Sequence, residues 1–274
     1  MFRKPVYNFS FFRGHDAVAG TGALIVQFKD HFSERAAAYA AHRPSYPRSL
    51  ASTLAAWAPG RQLAWDCGCG SGQLAVLLAD EFERVLATDA SPQQIREASP
   101  HPHVEYRCAP AEASGLEAGS ADLIAVAQAV HWFDLPRFYD EVRRVGRPGA
   151  VLALIAYGVL EVEGLEALVG DFYHRVLQPY WPPERRHVET GYRLLEFPFT
   201  PLPDPQLHMS AAWDLSALRG YIGTWSAVRA LEQVQGPAPF QAFGQALGQA
   251  WGDPASRRTV RWPLTVRAGR LPSG

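Results

Sequence analysis

The sequence predicts an α/β domain of seven strands: five parallel ones closed by an antiparallel pair, with helices on both faces and a helical cap inserted after the fifth strand. Three observations carry this expectation. Between residues 62 and 156 short apolar runs alternate with helical patterns, the rhythm of a parallel sheet with right-handed crossovers. The first run ends in Asp66-Cys67-Gly68-Cys69-Gly70-Ser71-Gly72-Gln73, a glycine-rich turn from strand into helix. Residues 206–213 and 259–267 alternate apolar and polar side chains, as half-buried antiparallel strands do.

Helical spacing runs over residues 28–41 and 48–57, and Arg43-Pro44-Ser45-Tyr46-Pro47 forms a rigid linker between them, because each proline disfavours helix at the residue before it. The parallel strands are expected at 62–67, 84–88, 104–108, 121–126 and 150–156, and the helices at 72–81, 92–98 and 136–145. Gly146-Arg147-Pro148-Gly149 is read as a turn ahead of the fifth strand. Residues 160–188 break the βα rhythm with a helical stretch and the run Tyr180-Trp181-Pro182-Pro183, read as a cap over the active site. Single helices are expected at 215–234 and 240–251. Residues 1–27 read as a disordered tail or a mis-assigned translation start, followed by one domain over 28–274. Within it, 28–60 is an N-terminal helical segment, 61–158 a cofactor-binding core, 159–205 the cap and 206–270 the C-terminal strands and helices.

A chain of 274 residues that is 47% hydrophobic can bury one large core. A formal net charge of -1 with 19% charged residues lacks the basic footprint of a nucleic-acid binder, so the expected partner is a small molecule. Cys67 and Cys69 lack the further ligands of a zinc site, and no metal is expected. No apolar run approaches the roughly 20 residues of a membrane span, and the first residues lack the apolar core of a signal peptide. The expected location is the cytoplasm.

Gly68, Gly70 and Gly72 tolerate positive φ and let a ligand lie against bare backbone at a helix N-terminus. Their spacing differs from the Gly-x-Gly-x-x-Gly of dinucleotide sites, and Asp66 closes the strand just before them. A carboxylate there repels phosphate but holds an ammonium group. Asp89, at the end of the second strand, can accept both hydroxyls of a ribose. An adenosine ligand with a cationic end and no phosphate fits both acids: S-adenosyl-L-methionine.

Asp66 to Gln73, Asp89-Ala90-Ser91 and Ala111-Glu112 together resemble the cofactor motifs of class I S-adenosylmethionine-dependent methyltransferases. Tyr39, Arg43-Pro44, Tyr46-Pro47, the stretch Gln128-Ala129-Val130-His131-Trp132-Phe133 and residues 220–228 resemble its type 11 branch, the small-molecule enzymes related to trans-aconitate methyltransferase. The likeness runs from about Phe28 to Arg270. It implies a Rossmann-like sheet, a cofactor loop built from Asp66, Gly68, Gly70, Gly72 and Gln73, ribose contacts at Asp89 and Ala90, adenine contacts at Ala111 and Glu112, and a further cofactor contact at Gln128.

Ile95, one turn into the next helix, packs the adenine face or is simply core. Tyr39 and Arg43 belong to a linker expected to dock over the cofactor, where Arg43 can bind a carboxylate of cofactor or substrate. His131 follows the fourth strand, at the sheet edge where such folds bind ligands. It is a candidate general base, with a structural histidine or cofactor contact as the alternative. Trp132, Tyr157, Tyr221 and Trp225 are the candidate substrate-pocket aromatics. The arginine pairs at 143–144, 185–186 and 257–258 read as solvated faces, and only the pair in the cap can meet an anionic substrate. The leading expectation is methyl transfer to a small-molecule acceptor, a carboxylate among the possibilities. A non-catalytic cofactor-binding partner or regulatory module stands as the alternative. An NAD-dependent oxidoreductase is disfavoured by Asp66 and the glycine spacing.

Overall fold

The computed structural model describes residues 44–273. The strands are β1 (Leu63–Cys67), β2 (Arg84–Asp89), β3 (Val104–Cys108), β4 (Ala121–Ala127), β5 (Gly146–Tyr157), β6 (Glu161–Val162), β7 (Thr200–Pro201), β8 (His208–Trp213) and β9 (Arg258–Arg270). The helices are α1 (Arg48–Trp57), α2 (Gln73–Leu78), α3 (Pro92–Arg96), α4 (Leu135–Val145), α5 (Glu166–Asp171), α6 (Arg185–Glu189), α7 (Leu215–Gly223), α8 (Ser226–Gln235) and α9 (Ala238–Trp251). Sheet order is β3-β2-β1-β4-β5-β9-β6, with β7 and β8 also paired to β9. The first five strands are parallel and β9 runs antiparallel to β5. This is the expected Rossmann-like arrangement.

Strands buried on both faces are apolar at nearly every position. β1 is buried throughout, and β5 from Ala150 to Tyr157. Alternation then sorts the side chains into two cores. Ala64, Leu123, Ala125, Val151, Ala153 and Ile155 face one side with α1 and α2. Trp65, Ile124, Val126, Leu152 and Leu154 face the other, with Phe138, Val142 and Val145 of α4. Asp134 caps α4 by accepting from the Arg137 amide, and its apolar stripe lies against the sheet.

Four expectations need correction. The closing strands exist, but β9 is long: it pairs β8 over 258–263 and β5 over 264–270, so β8 extends the sheet beyond β5. Pro263, which has no N–H to donate, stands where the pairing changes. Two short strands, β6 and β7, join the same β9. The residues expected as a turn, 146–149, already lie in β5, where the register with β4 shifts and Gly149 takes a φ of 75°. The helix expected at 215–234 is broken into α7 and α8. There the Thr224 hydroxyl bonds back to the Tyr221 carbonyl at 2.6 Å, and Trp225 takes an extended conformation.

Candidate functional site

The loops after β1, β2, β3 and β4 and the end of β5 open on one cavity at the carboxyl edge of the sheet, where open α/β folds place ligands. Its opposite wall comes from residues 180–188 and from α7 and α8. As bounded by the described residues it measures about 2030 Å³. Ordinary ligand pockets hold roughly 300–1,000 Å³, so there is room for two ligands side by side.

The glycine loop is shaped by its neighbours. Gly68 and Cys69 donate their amides to the Thr88 carbonyl at 2.8 and 2.9 Å, tying the end of β1 to that of β2. Gly68, Gly70 and Gly72 have φ of 70°, 55° and 84°, in the left-handed region where a side chain is strained. A Cβ at Gly68 would meet that of Ala129 at 2.6 Å, and one at Gly72 would meet the Tyr106 hydroxyl at 2.2 Å. The Asp89 carboxylate accepts from the Gly70 amide on one oxygen and from the Ser91 amide on the other, both at 2.9 Å. Its remaining lone pairs are available to the cavity it lines. Asp66 is buried in the same wall.

Gln128 holds a φ of 60°, unusual for a residue with a side chain, and its buried Nε2 has no partner among the described residues. A strained residue presenting a bare donor in a cavity wall marks a place for a ligand acceptor. Gln73 likewise has a buried Oε1 without a partner there. Glu112 accepts from the Asp134 amide at 3.0 Å and joins the loop after β3 to the start of α4. His131 Nδ1 lies 3.2 Å from the Tyr192 hydroxyl. Burial, then the positive charges of Arg185 and His187, push its imidazole down to about 4, so it is neutral at pH 7. Burial and the Asp66 carboxylate push the Cys67 and Cys69 thiols up, which leaves neither as a thiolate near neutrality.

Of the residues singled out from sequence, Asp66, Gly68, Gly70, Gln73, Asp89, Ala90, Ala111, Glu112, Gln128, His131, Trp132, Tyr157, Tyr221 and Trp225 line this one cavity. Gly72 does not: it serves the close approach to Tyr106. Ile95 is not in the wall either. On α3 the cavity side carries Ser91 and Gln94, three residues apart, and Ile95 is rotated by about 100° from Gln94. Tyr39 and Arg43 lie outside the described residues, but Tyr46 of the same linker lines the cavity with its ring 6.5 Å from that of Tyr157. Tyr192 went unnoticed in the sequence, since 61 residues separate it from His131 and no local pattern joins them. Arg219 and Arg229 were also missed, although they fall on the cavity side of helices already expected. The pair Arg143-Arg144 is not simply solvated: Arg144 binds the buried Glu141 at 2.7 Å.

Fold and site together define an α/β protein that holds an adenosine-type cofactor at the sheet edge, in a loop with a carboxylate where a phosphate site would need positive charge. The comparisons with known proteins agree. Residues 65–154 match the family described as Methyltransferase domain. A Dictyostelium discoideum protein grouped with the methyltransferases is 34% identical over 209 residues, covering 74% of this chain and 80% of the relative. A solved structure from Anaeromyxobacter dehalogenans, described as a type II methyltransferase, is 50% identical with a TM-score of 0.81, covering 84% of this chain and 99% of that one. A Saccharomyces cerevisiae protein grouped with the S-adenosylmethionine-dependent methyltransferases is 28% identical over 124 residues, 42% of this chain and 43% of the relative. The chain belongs to the class I S-adenosylmethionine-dependent methyltransferases, and its cofactor is S-adenosyl-L-methionine. The donor set fits it: Asp66 at the start of the loop, Asp89 at the end of the neighbouring strand, glycine backbone between them, and no arginine or lysine in the loop. Among the described residues no helix is long and apolar enough to cross a membrane.

Proposed function

We propose that this chain transfers the methyl group to a small organic acceptor, a carboxylate among the groups that fit, bound between the cofactor loop and the aromatic outer wall. The observation that carries this reading is the continuity of the cavity. Asp66 and Asp89 line one side, and Tyr221, Trp225 and Arg185 line the other. Bound S-adenosylmethionine supplies a methyl group made electrophilic by the positive sulfur. The chain's own contribution is placement. Asp89, steadied by two backbone amides, receives the ribose hydroxyls. Asp66 faces the ammonium end, Ala111 and Glu112 flank the adenine, and Gln128 offers a donor from β4. The outer wall keeps water from the reacting atoms. Positioning of this kind can supply about 7–11 kcal/mol of a barrier, so no catalytic dyad is required.

His131 fits a positioning role better than that of a base. An imidazole pushed down to about 4 holds a proton weakly, whereas an efficient general base titrates near working pH. An acceptor that arrives as an anion needs no proton removed, which favours carboxylates over alcohols. The test is release of S-adenosylhomocysteine by the purified protein over a panel of small carboxylic acids, phenols and quinone precursors, with Asp89→Ala as control. Turnover on a small molecule, abolished in the variant, is the expected result. Cofactor binding with transfer only to protein or nucleic acid would overturn the reading.

A further inference from the structure

Arg185 lies at the start of α6, in the outer wall of the cavity. Its Nε donates to the Tyr173 hydroxyl at 2.8 Å. The guanidinium carbon stands 5.0 Å from the centroid of the Trp181 ring and 5.7 Å from that of Tyr173. The Tyr173 hydroxyl donates a hydrogen bond to Glu189 at 2.8 Å, so a phenol separates the cation from that carboxylate. Among the described residues no carboxylate meets Arg185, and no protein acceptor meets its two terminal nitrogens.

This is an unusual way to keep a cation. Arg185 is half-buried; a guanidinium so placed commonly stands against an acid, and stacking on aromatic faces offsets only part of the lost hydration. Here the rings of Trp181 and Tyr173 and the Tyr173 hydroxyl engage the group, and its terminal donors, which match a carboxylate in geometry and charge, belong to a side chain that lines the cavity. The acids of the cavity lie elsewhere. Asp89 is committed to the Gly70 and Ser91 amides, and Glu112 to the Asp134 amide. Asp134 and Asp214 cap α4 and α7 by accepting from the Arg137 and Ala217 amides, and Glu232 stands on α8, so among the described residues none of these cavity acids pairs with Arg185.

We infer that Arg185 binds a carboxylate of the methyl acceptor, which makes the substrates of this chain organic acids whose apolar or aromatic body packs beside Tyr221 and Trp225. The inference rests on the small-molecule reading above and narrows it. The cofactor also ends in a carboxylate, and an arginine could serve that one instead, so the test must separate the two.

The probes are cinnamate, phenylacetate and octanoate, each with its carboxamide, titrated by tryptophan fluorescence into the protein saturated with S-adenosylhomocysteine. The expected result is at least tenfold tighter binding of acid than amide in the wild type. Arg185→Gln should abolish that preference and Arg185→Lys should keep part of it, with S-adenosylhomocysteine affinity unchanged in both. Retained cofactor affinity also shows that the variants are folded. Acid and amide binding alike, no acid binding at all, or a preference that survives Arg185→Gln would overturn the inference. So would a loss of S-adenosylhomocysteine affinity confined to Arg185→Gln and relieved by Arg185→Lys, which would assign Arg185 to the cofactor. Acids that bind through Arg185 but are never methylated would instead defeat the small-molecule methyltransferase reading and leave the anion site standing.

Discussion

His131 shows how a residue legible in sequence acquires its properties only from neighbours distant in the chain. Its place after β4 predicts that it meets the ligand cavity, and it does. Its protonation is decided by burial and by Arg185 and His187, which lie more than fifty residues away and belong to α6. The shift has a consequence for stability. Unfolded, the imidazole takes up a proton near pH 6.5, and folded it does so only near 4. Between those values the unfolded chain binds more protons, so this contribution is complete above about pH 6.5 and is lost as the pH falls toward 4. It amounts to at most about 3 kcal/mol. Urea unfolding at pH 7.5 and 4.5 checks it: the wild type should lose more stability on acidification than His131→Gln, and equal losses would contradict the assignment. The loop glycines are the opposite case. Their spacing already requires positive φ, and the structure adds only what stands against them: Ala129 at Gly68 and Tyr106 at Gly72.

At the scale of elements, Asp122 joins three strands at the end of the sheet remote from the cofactor loop. Its buried carboxylate accepts from the Gln62 and Leu63 amides at 2.9 and 3.0 Å and from Arg147 at 3.0 Å. These contacts fix the start of β1 against β4 and hold the irregular beginning of β5. Asp122→Ala would leave two amides and a half-buried guanidinium unmatched, at a cost of roughly 2–4 kcal/mol. A fall of that size in urea-unfolding free energy is expected, and a change under about 0.5 kcal/mol would show that water satisfies these donors. Apolar runs identify β1, β2, β4 and the second half of β5 in the sequence, and alternation identifies β3, whose Glu105 and Arg107 lie between Val104, Tyr106 and Cys108. The break between α7 and α8 was not visible: both halves have helical spacing, and the interruption depends on a Thr224 side-chain bond that competes with the backbone.

The whole molecule is built around a cavity whose two sides come from parts of the chain far apart in sequence, so a ligand there links loops that would otherwise open separately. S-adenosylhomocysteine at a hundredfold excess over its dissociation constant should stabilise the fold by about 2.7 kcal/mol. That corresponds to a rise of roughly 5–10 °C in Tm for a domain of this size, read by differential scanning fluorimetry. An unchanged Tm at that concentration would mean that the loop does not hold the cofactor in the folded state.

The sequence by itself determined the parallel sheet, the cofactor loop and the two acids, because these rest on local requirements: strand periodicity, glycine at positive φ, and a carboxylate at a strand end. Most of the site residues it singled out within the described part of the chain line the cavity, since the carboxyl edge of such a sheet is fixed once the strands are known. Only the tertiary structure decided that Gln94 rather than Ile95 faces the cavity, that β9 serves both β5 and β8, and that Arg185 stands among aromatic rings without an acid. Those outcomes turn on helix phase, on where a long strand changes partner, and on the charges brought near one another by folding, none of which is encoded within a few residues of the position concerned.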